Sequence, residues 1–501
     1  MSAWKITTVF ASIVACLTVV SMGFPSEGIT LGDHTYYLPT IQDLTEANTT
    51  GSANIGNTKN IKIPKEITAL SDSINYLQSS FDQSDLRLWL PNESYLDDFW
   101  TTAENAVSDN RVVRILHYGD SQIEMDRISS VLRQNLQELF GGSGPNMVPA
   151  VQPVPTISVS QHASGLSRYA VYGDATNARA SHNRYGVMAQ FSQVVGGGTI
   201  TFRQTSHSQA LNKAKEISTV SVLLGKNSKG FKATLKCDGI TTEPKVLPAR
   251  DSVSLITWIL PEDVKKGTIS FTGNAEIYAV LLDGDPGVAI DNVALRGCSG
   301  TIFTRMNESV SRQSFDLLNT RLIILQFGGN RMPDINSPKS ITPYLAELEK
   351  QIHYMRRVAP KATLLFIGPA DMGRRYNGKM GTWKGLPELN DSLRAMALRN
   401  KVAYWDMFNV MGGEGSMAQW VKHKPALAGP DYIHFTFNGA QEIGADLARS
   451  FTTYYDFYKL RQHVPSEKVI EFVNLDRKED SIRTAGRIKL PTYNPYGIKN
   501  R

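Results

Sequence analysis

Cysteine is scarce in this chain: 501 residues carry only Cys16, Cys237 and Cys298. A disulfide-stapled fold is thereby excluded, and Cys237 and Cys298 fall in different expected domains, so no bridge is predicted. Neither Cys-x-x-Cys nor His-x-x-x-His spacing occurs, so no metal site is expected. Dense Lys/Arg patches with interleaved aromatics are also missing, and the net charge is a mild +6, so nucleic acid is not an expected partner. Long apolar runs are confined to the N-terminus. What remains is ordinary globular composition, 41% hydrophobic and 20% charged, with length for two cores rather than one.

Lys5 precedes an uncharged run from Ile6 to Pro25, with an apolar centre from Val9 to Val20. This is the pattern of a signal peptide or a retained N-terminal membrane anchor, and it predicts export. Residues 26–60, rich in Thr, Asn, Gly and Ser, read as a linker. From Leu96, the residues Phe99, Trp100, Ala103 and Val107 recur at helical spacing. Val112 to Leu116 reads as a buried strand closed by Gly119. A helix follows from about Asp126, with Ile128, Val131, Leu132, Leu136 and Leu139 on one face.

The period then changes. Val187–Val194, Thr199–Gln204, Thr219–Leu224, Ala233–Cys237, Val253–Leu260, Thr268–Thr272 and Ile277–Leu282 are short β-type runs without intervening helices, which predicts an all-β sandwich or jelly roll. Strands and helices alternate again afterwards. Strands are expected at Val293–Leu295, Leu322–Phe327, Ala362–Ile367 and Val402–Trp405, with helices at Tyr344–Arg357, Leu386–Asn400 and Asn438–Phe451. The fold class is therefore α/β, a doubly wound parallel sheet with an inserted all-β domain. Expected boundaries are 1–25 export segment, 26–60 linker, 61–157 first α/β part, 158–285 insert, 286–455 second α/β part and 456–501 polar basic tail.

Ligands of such sheets sit beyond the carboxyl ends of the strands, where Ser121, Gly297, Asn330 and Pro369 all fall. Ser121 stands where a strand turns into a helix, exposed enough to be a nucleophile, though Ser is also a common helix cap. Asp431 and His434 are three apart in a turn-prone segment, so the carboxylate can fix the imidazole tautomer. The free ring nitrogen can then accept the Ser121 proton. The Asn330 amide and the Gly297 N–H are candidate oxyanion donors, with Ser121 N–H the third.

These residues together resemble the SGNH (GDSL-like) hydrolases. Gly119-Asp120-Ser121 is similar to the first block of that family, Gly297 (or Gly300) to the second, Gly328-Gly329-Asn330 to the third and Asp431-Tyr432-Ile433-His434 to the fifth. The resemblance covers about 95–157 and 286–455, and implies a flavodoxin-like three-layer fold. With the β insert, it is similar to the peptidoglycan O-acetylesterases. It implies a serine esterase with Ser121, His434 and Asp431 as triad, no cofactor, and an acetylated glycan as substrate. Gln122 and Arg331 depart from the family pattern, and both are expected beside the pocket. The chain is expected to act as a monomer in the periplasm or cell envelope. Rival readings are an esterase for another polysaccharide, an O-acetyltransferase with the same triad, and a non-catalytic glycan-binding protein.

Overall fold

The computed structural model describes residues 29–31, 34–36, 88–173 and 177–463. The expected export segment, the 61–87 stretch and the tail beyond 463 lie outside the described residues. In the segment read as linker, Ile29–Leu31 (β1) pairs antiparallel with His34–Tyr36 (β2). This hairpin belongs to a separate unit, 1–68.

From residue 88 the chain runs through β3 (Leu88–Trp89), α1 (Asp97–Glu104), β4 (Val112–Gly119) and α2 (Ser129–Phe140). Next come β5 (Asn146–Val148), β6 (Val159–Ala170), β7 (Gln190–Gln204), β8 (Thr219–Cys237), β9 (Ile240–Thr241), β10 (Lys245–Leu247), β11 (Ser254–Ile259) and β12 (Lys266–Asp283). The alternation then resumes with β13 (Gly287–Ala294), α3 (Glu308–Leu317), β14 (Thr320–Gln326), α4 (Ile341–Val358) and β15 (Thr363–Ile367). A hairpin, β16 (Gly373–Tyr376) and β17 (Lys379–Thr382), precedes α5 (Leu386–Arg399) and β18 (Ala403–Trp405). Two short helices, α6 (Met407–Val410) and α7 (Ser416–Lys422), lead to the closing helix α8 (Phe437–His463).

One sheet has the order β13-β4-β14-β15-β18-β3. Its first five strands are parallel, and only β3 runs antiparallel, against β18. Numbered along the chain, the parallel strands stack 2-1-3-4-5, the flavodoxin-like doubly wound order. The strands are mostly apolar because both faces are covered, with Arg114 and His117 on β4 and Asp291 on β13 among the buried polar exceptions. Neighbouring residues alternate between two cores: Ile115, Ile324 and Leu365 face one that contains Phe99, Trp100, Leu136 and Phe451. Leu116, Leu325 and Phe366 face the other, with Phe315, Leu348, Ile352 and Leu393. Helices α1, α2 and α8 thus cover one face, and α3, α4 and α5 the other.

The eight strands β5 to β12 form an antiparallel sheet around a third core that includes Val194, Ile200, Leu235, Ile269 and Ile277. The short runs read from the sequence merge here. Thr219–Leu224 and Ala233–Cys237 are two ends of β8, while Thr268–Thr272 and Ile277–Leu282 are two ends of β12. The polar and glycine residues between them bend a strand rather than end it: β12 keeps pairing with β8 across register shifts between Gly273 and Ala279. Such bulges preserve the ladder while turning its direction. β6 carries no strong apolar alternation and was not expected. β5 pairs with β12, although residues 146–148 lie before the expected insert boundary at 158.

Other departures are local. Val107 is 55% exposed, because α1 ends at Glu104. Leu139 is 42% exposed, and Phe140 closes the buried face of α2 instead. α2 begins at Ser129 rather than Asp126, because Met125 and Asp126 have φ of 60° and 66°, values that no helix accommodates. The strand expected at Val293–Leu295 starts at Gly287. Helix α8 continues past 456, where the tail was expected to begin, and Phe457 and Tyr458 on it are buried. Cys237 and Cys298 are both free.

A buried ion cluster joins the two sheets. Arg114 on β4 donates to Asp291 on β13 at 2.9 Å and to Asp283 at the end of β12. Asn146 donates to Asp283 at 3.0 Å, and the Met147 N–H donates to Asp291 at 2.8 Å. Among the described residues, no helix is long and apolar enough to cross a membrane.

Candidate active site

Strand β4 delivers Ser121 to the carboxyl edge of the parallel sheet. Gly119 permits the turn, because a Cβ there would lie 2.9 Å from the Ile123 side chain. The Asp120 carboxylate accepts the Gln122 N–H at 3.0 Å, and Ser121 opens a short 3-10 turn that is broken by a kink at Glu124 and Met125. The strand-to-helix junction expected for Ser121 is therefore a capped turn followed by a sharp re-entry into α2.

The other half of the site comes from the loop before α8. Asp431 accepts the N–H groups of Ile433 and His434 through Oδ1, at 3.0 and 3.1 Å. Its Oδ2 lies 2.8 Å from His434 Nδ1. A carboxylate only accepts, so Nδ1 carries the proton and Nε2 is left as acceptor. Ser121 Oγ is 2.8 Å from that Nε2 and donates to it. Partial burial acts to raise the Asp431 pKa, but the hydrogen bonds from His434 and Ile433 hold it below its ordinary value. Asp431 thus stays charged and can stabilise an imidazolium.

Ser121, Gly297, Asn330 and Pro369 line one cavity of about 620 Å³ with His434. Gly297 has φ of 72°, and no atom lies within 4 Å of where its Cβ would begin. A side chain there would be strained and would extend into the cavity. At Gly300, the alternative glycine, an added Cβ would instead meet the Phe327 ring at 2.7 Å. Asn330 Nδ2 donates to Asp120 Oδ2 at 2.8 Å and to the Cys298 carbonyl at 3.3 Å. The longer bond is the one a developing oxyanion can replace. Gln122 lines the cavity as expected. Arg331 does not: it pairs with Asp334 at 3.1 Å and lies over the Tyr344 ring, because the turn after Gly328 points it away from the cleft.

Several residues with clear contacts were not assigned roles from the sequence. Asp120 is 5% exposed, and burial pushes its pKa up to about 6 against the Gln122 and Asn330 hydrogen bonds. The Gln122 amide donates to the Ile433 carbonyl at 2.6 Å and accepts the Phe435 N–H at 3.3 Å, gripping the chain on both sides of His434. Arg127 donates to the carbonyls of Ser121 (3.2 Å) and Phe435 (2.8 Å). Arg296 and Glu124 form a bidentate pair on the cavity wall, at 2.7 and 2.5 Å. Only Gly-Asp-Ser marked Asp120 in the sequence; the others are long-range contacts without a local signal. Among the described residues, no cluster of His, Cys, Asp and Glu could hold a metal.

Comparison with known proteins decides the class. Residues 267–442 match the GDSL-like Lipase/Acylhydrolase family. The chain carries a GDSL-like acylhydrolase domain. It is a carboxylic ester hydrolase by that domain, whose matched segment holds Gly297, Asn330, Asp431 and His434. A solved structure described as "Peptidoglycan O-acetylesterase in action, 5 min" superposes with a TM-score of 0.58 at 19% identity, over 74% of this chain and 99% of that one. That likeness shows a shared fold for the acylhydrolase and its β insert. A family two carbohydrate esterase from Cellvibrio japonicus gives a TM-score of 0.23 at 9% identity, over 60% of this chain and 99% of that one, and adds no argument. No curated protein sequence matches the chain.

Proposed function

We propose that this acylhydrolase is an exported esterase that removes O-acetyl groups from a glycan, with peptidoglycan the foremost substrate. The single observation behind it is the hydrogen-bonded relay Ser121–His434–Asp431, with Ser121 and His434 on the wall of a cavity and Asp431 behind the histidine. His434 Nε2 takes the Ser121 proton as Oγ attacks the acetyl carbonyl. The N–H groups of Ser121 and Gly297 and the Asn330 amide receive the tetrahedral oxyanion. The C–O bond to the sugar breaks, His434 returns the proton to the leaving hydroxyl, and acetyl remains on Ser121. Water, deprotonated by His434, then attacks the acetyl carbon; the bond to Ser121 Oγ breaks, His434 returns the proton to Oγ, and acetate leaves. Peptidoglycan is favoured by the fold shared with the O-acetylesterase, insert included. Action outside the cytoplasm is favoured by the apolar run Val9–Val20.

The test is acetate release from O-acetylated peptidoglycan and from acetylxylan, with wild type and Ser121→Ala. Wild type should release acetate, peptidoglycan first, and Ser121→Ala should be slower by at least about a thousandfold. Full activity in Ser121→Ala would overturn the mechanism. Transfer of acetyl to added glycan faster than to water would move the reading to an acetyltransferase.

A further inference from the structure

The hairpin β16–β17 carries three cations, and the turn after it a fourth, that the esterase chemistry leaves unused. Arg374, Arg375, Lys379 and Lys384 are all exposed, and the stretch 373–384 contains no Asp or Glu. Among the described residues, no ion pair engages any of them. Two are held in place by aromatic rings: Arg374 lies 4.7 Å from the centroid of Trp383, and Lys384 lies 5.1 Å from that of Tyr376. A guanidinium or ammonium stacked in this way loses less freedom when a ligand arrives.

The hairpin is fastened to the catalytic cleft. The Gly373 N–H donates to the carbonyl of Tyr432, next to Asp431, at 2.7 Å. The Gly415 N–H donates to Thr382 Oγ1, also at 2.7 Å. Met372 and Trp383, at the two feet of the hairpin, line the same cavity as Ser121 and His434. Four extended residues per strand span about 13 Å, so Arg375 and Lys379 stand toward the tip of a hairpin whose feet, Met372 and Trp383, line the cavity.

We propose that the β16–β17 hairpin docks the carboxylates of an anionic glycan strand running out of the catalytic cavity. The proposal rests on the esterase reading and narrows its substrate to glycans with carboxylates near the acetyl ester. One-signed, unpaired charge at the mouth of a cleft concentrates an oppositely charged substrate. A membrane surface fits less well, because the tip, Asn377-Gly378, offers no apolar side chain to insert.

The experiment measures binding and turnover with the full chain. Binding of a deacetylated, carboxylate-bearing peptidoglycan strand is measured by calorimetry, at low and high salt. The same strand with its carboxylates amidated is the comparison. Wild type should bind the anionic strand at least about tenfold more tightly than the amidated one, with affinity falling as salt rises. The triple change R374E/R375E/K379E should abolish that preference, and R374K/R375K/K379R should keep it. Equal affinity for both strands in wild type would overturn the proposal, as would stronger binding to phosphatidylglycerol vesicles than to the glycan. Acetate release is assayed in parallel. If no ester is cleaved but the charge-dependent binding holds, the esterase reading falls and the hairpin site stands. If acetate is released without charge preference, the hairpin site falls alone.

Discussion

Asp120 shows how one buried side chain supports a reaction it does not enter. Its carboxyl holds the Asn330 amide and caps the Ser121 turn, through Oδ2 and Oδ1 respectively. Its folded pKa of about 6 lies above the ordinary 3.8, so the native state binds the proton more tightly than the unfolded chain. Stability from this group is present below 3.8 and is lost as pH rises through about 6. Asp120→Asn removes that slope, so its melting temperature should vary less between pH 5 and pH 8 than that of wild type. It also removes the charge that orients the oxyanion donor, and kcat on an acetyl ester should drop about 10- to 100-fold. Melting curves and initial rates at pH 5 and pH 8 check both; an unchanged kcat would show that Asn330 needs no charged support.

At the scale of elements, the site depends on two loops far apart in sequence meeting in register. The 119–127 turn and the 427–436 loop are tied by Gln122, whose amide takes the backbone groups flanking His434. Arg127 adds a second tie through the carbonyls of Ser121 and Phe435. Gln122→Leu keeps volume but leaves a buried carbonyl and N–H without partners, which costs about 1–3 kcal/mol locally. His434 would then wander from Ser121. We expect kcat on a small acetyl ester to fall about tenfold or more while KM changes little; a change in KM alone would assign Gln122 to substrate binding. The elements themselves were legible where periodicity was strong, as in α4 and β14. The β insert was legible only as a class, because a glycine inside a strand and a glycine in a turn look alike until the partner strand is known.

For the whole molecule, the junction of the parallel and antiparallel sheets centres on Arg114. Its partners Asp283 and Asp291 are 4% and 0% exposed, so no water can replace the guanidinium. Arg114→Leu leaves two uncompensated buried carboxylates, and unfolding stability should fall by about 3–5 kcal/mol. A denaturant titration of the full chain reads this directly. A loss under about 1 kcal/mol would mean that the carboxylates take up protons and that the junction does not need the charge. Nothing in the sequence pairs residues 114, 283 and 291, since each sits in an otherwise apolar or mixed strand.

Local patterns were enough to establish the α/β class, the β insert, the turn at Ser121 and the Asp431–His434 spacing, because each depends on residues within a few positions of one another. They could not establish which glycine opens onto the cleft, that Arg331 turns away from it, or that Gln122 grips the histidine loop. Those depend on how strands far apart in the chain align, and alignment follows from packing both faces of a sheet at once. The basic hairpin belongs to both kinds: its charges are plain in the sequence, while their position at the mouth of the cavity follows from the Gly373–Tyr432 hydrogen bond.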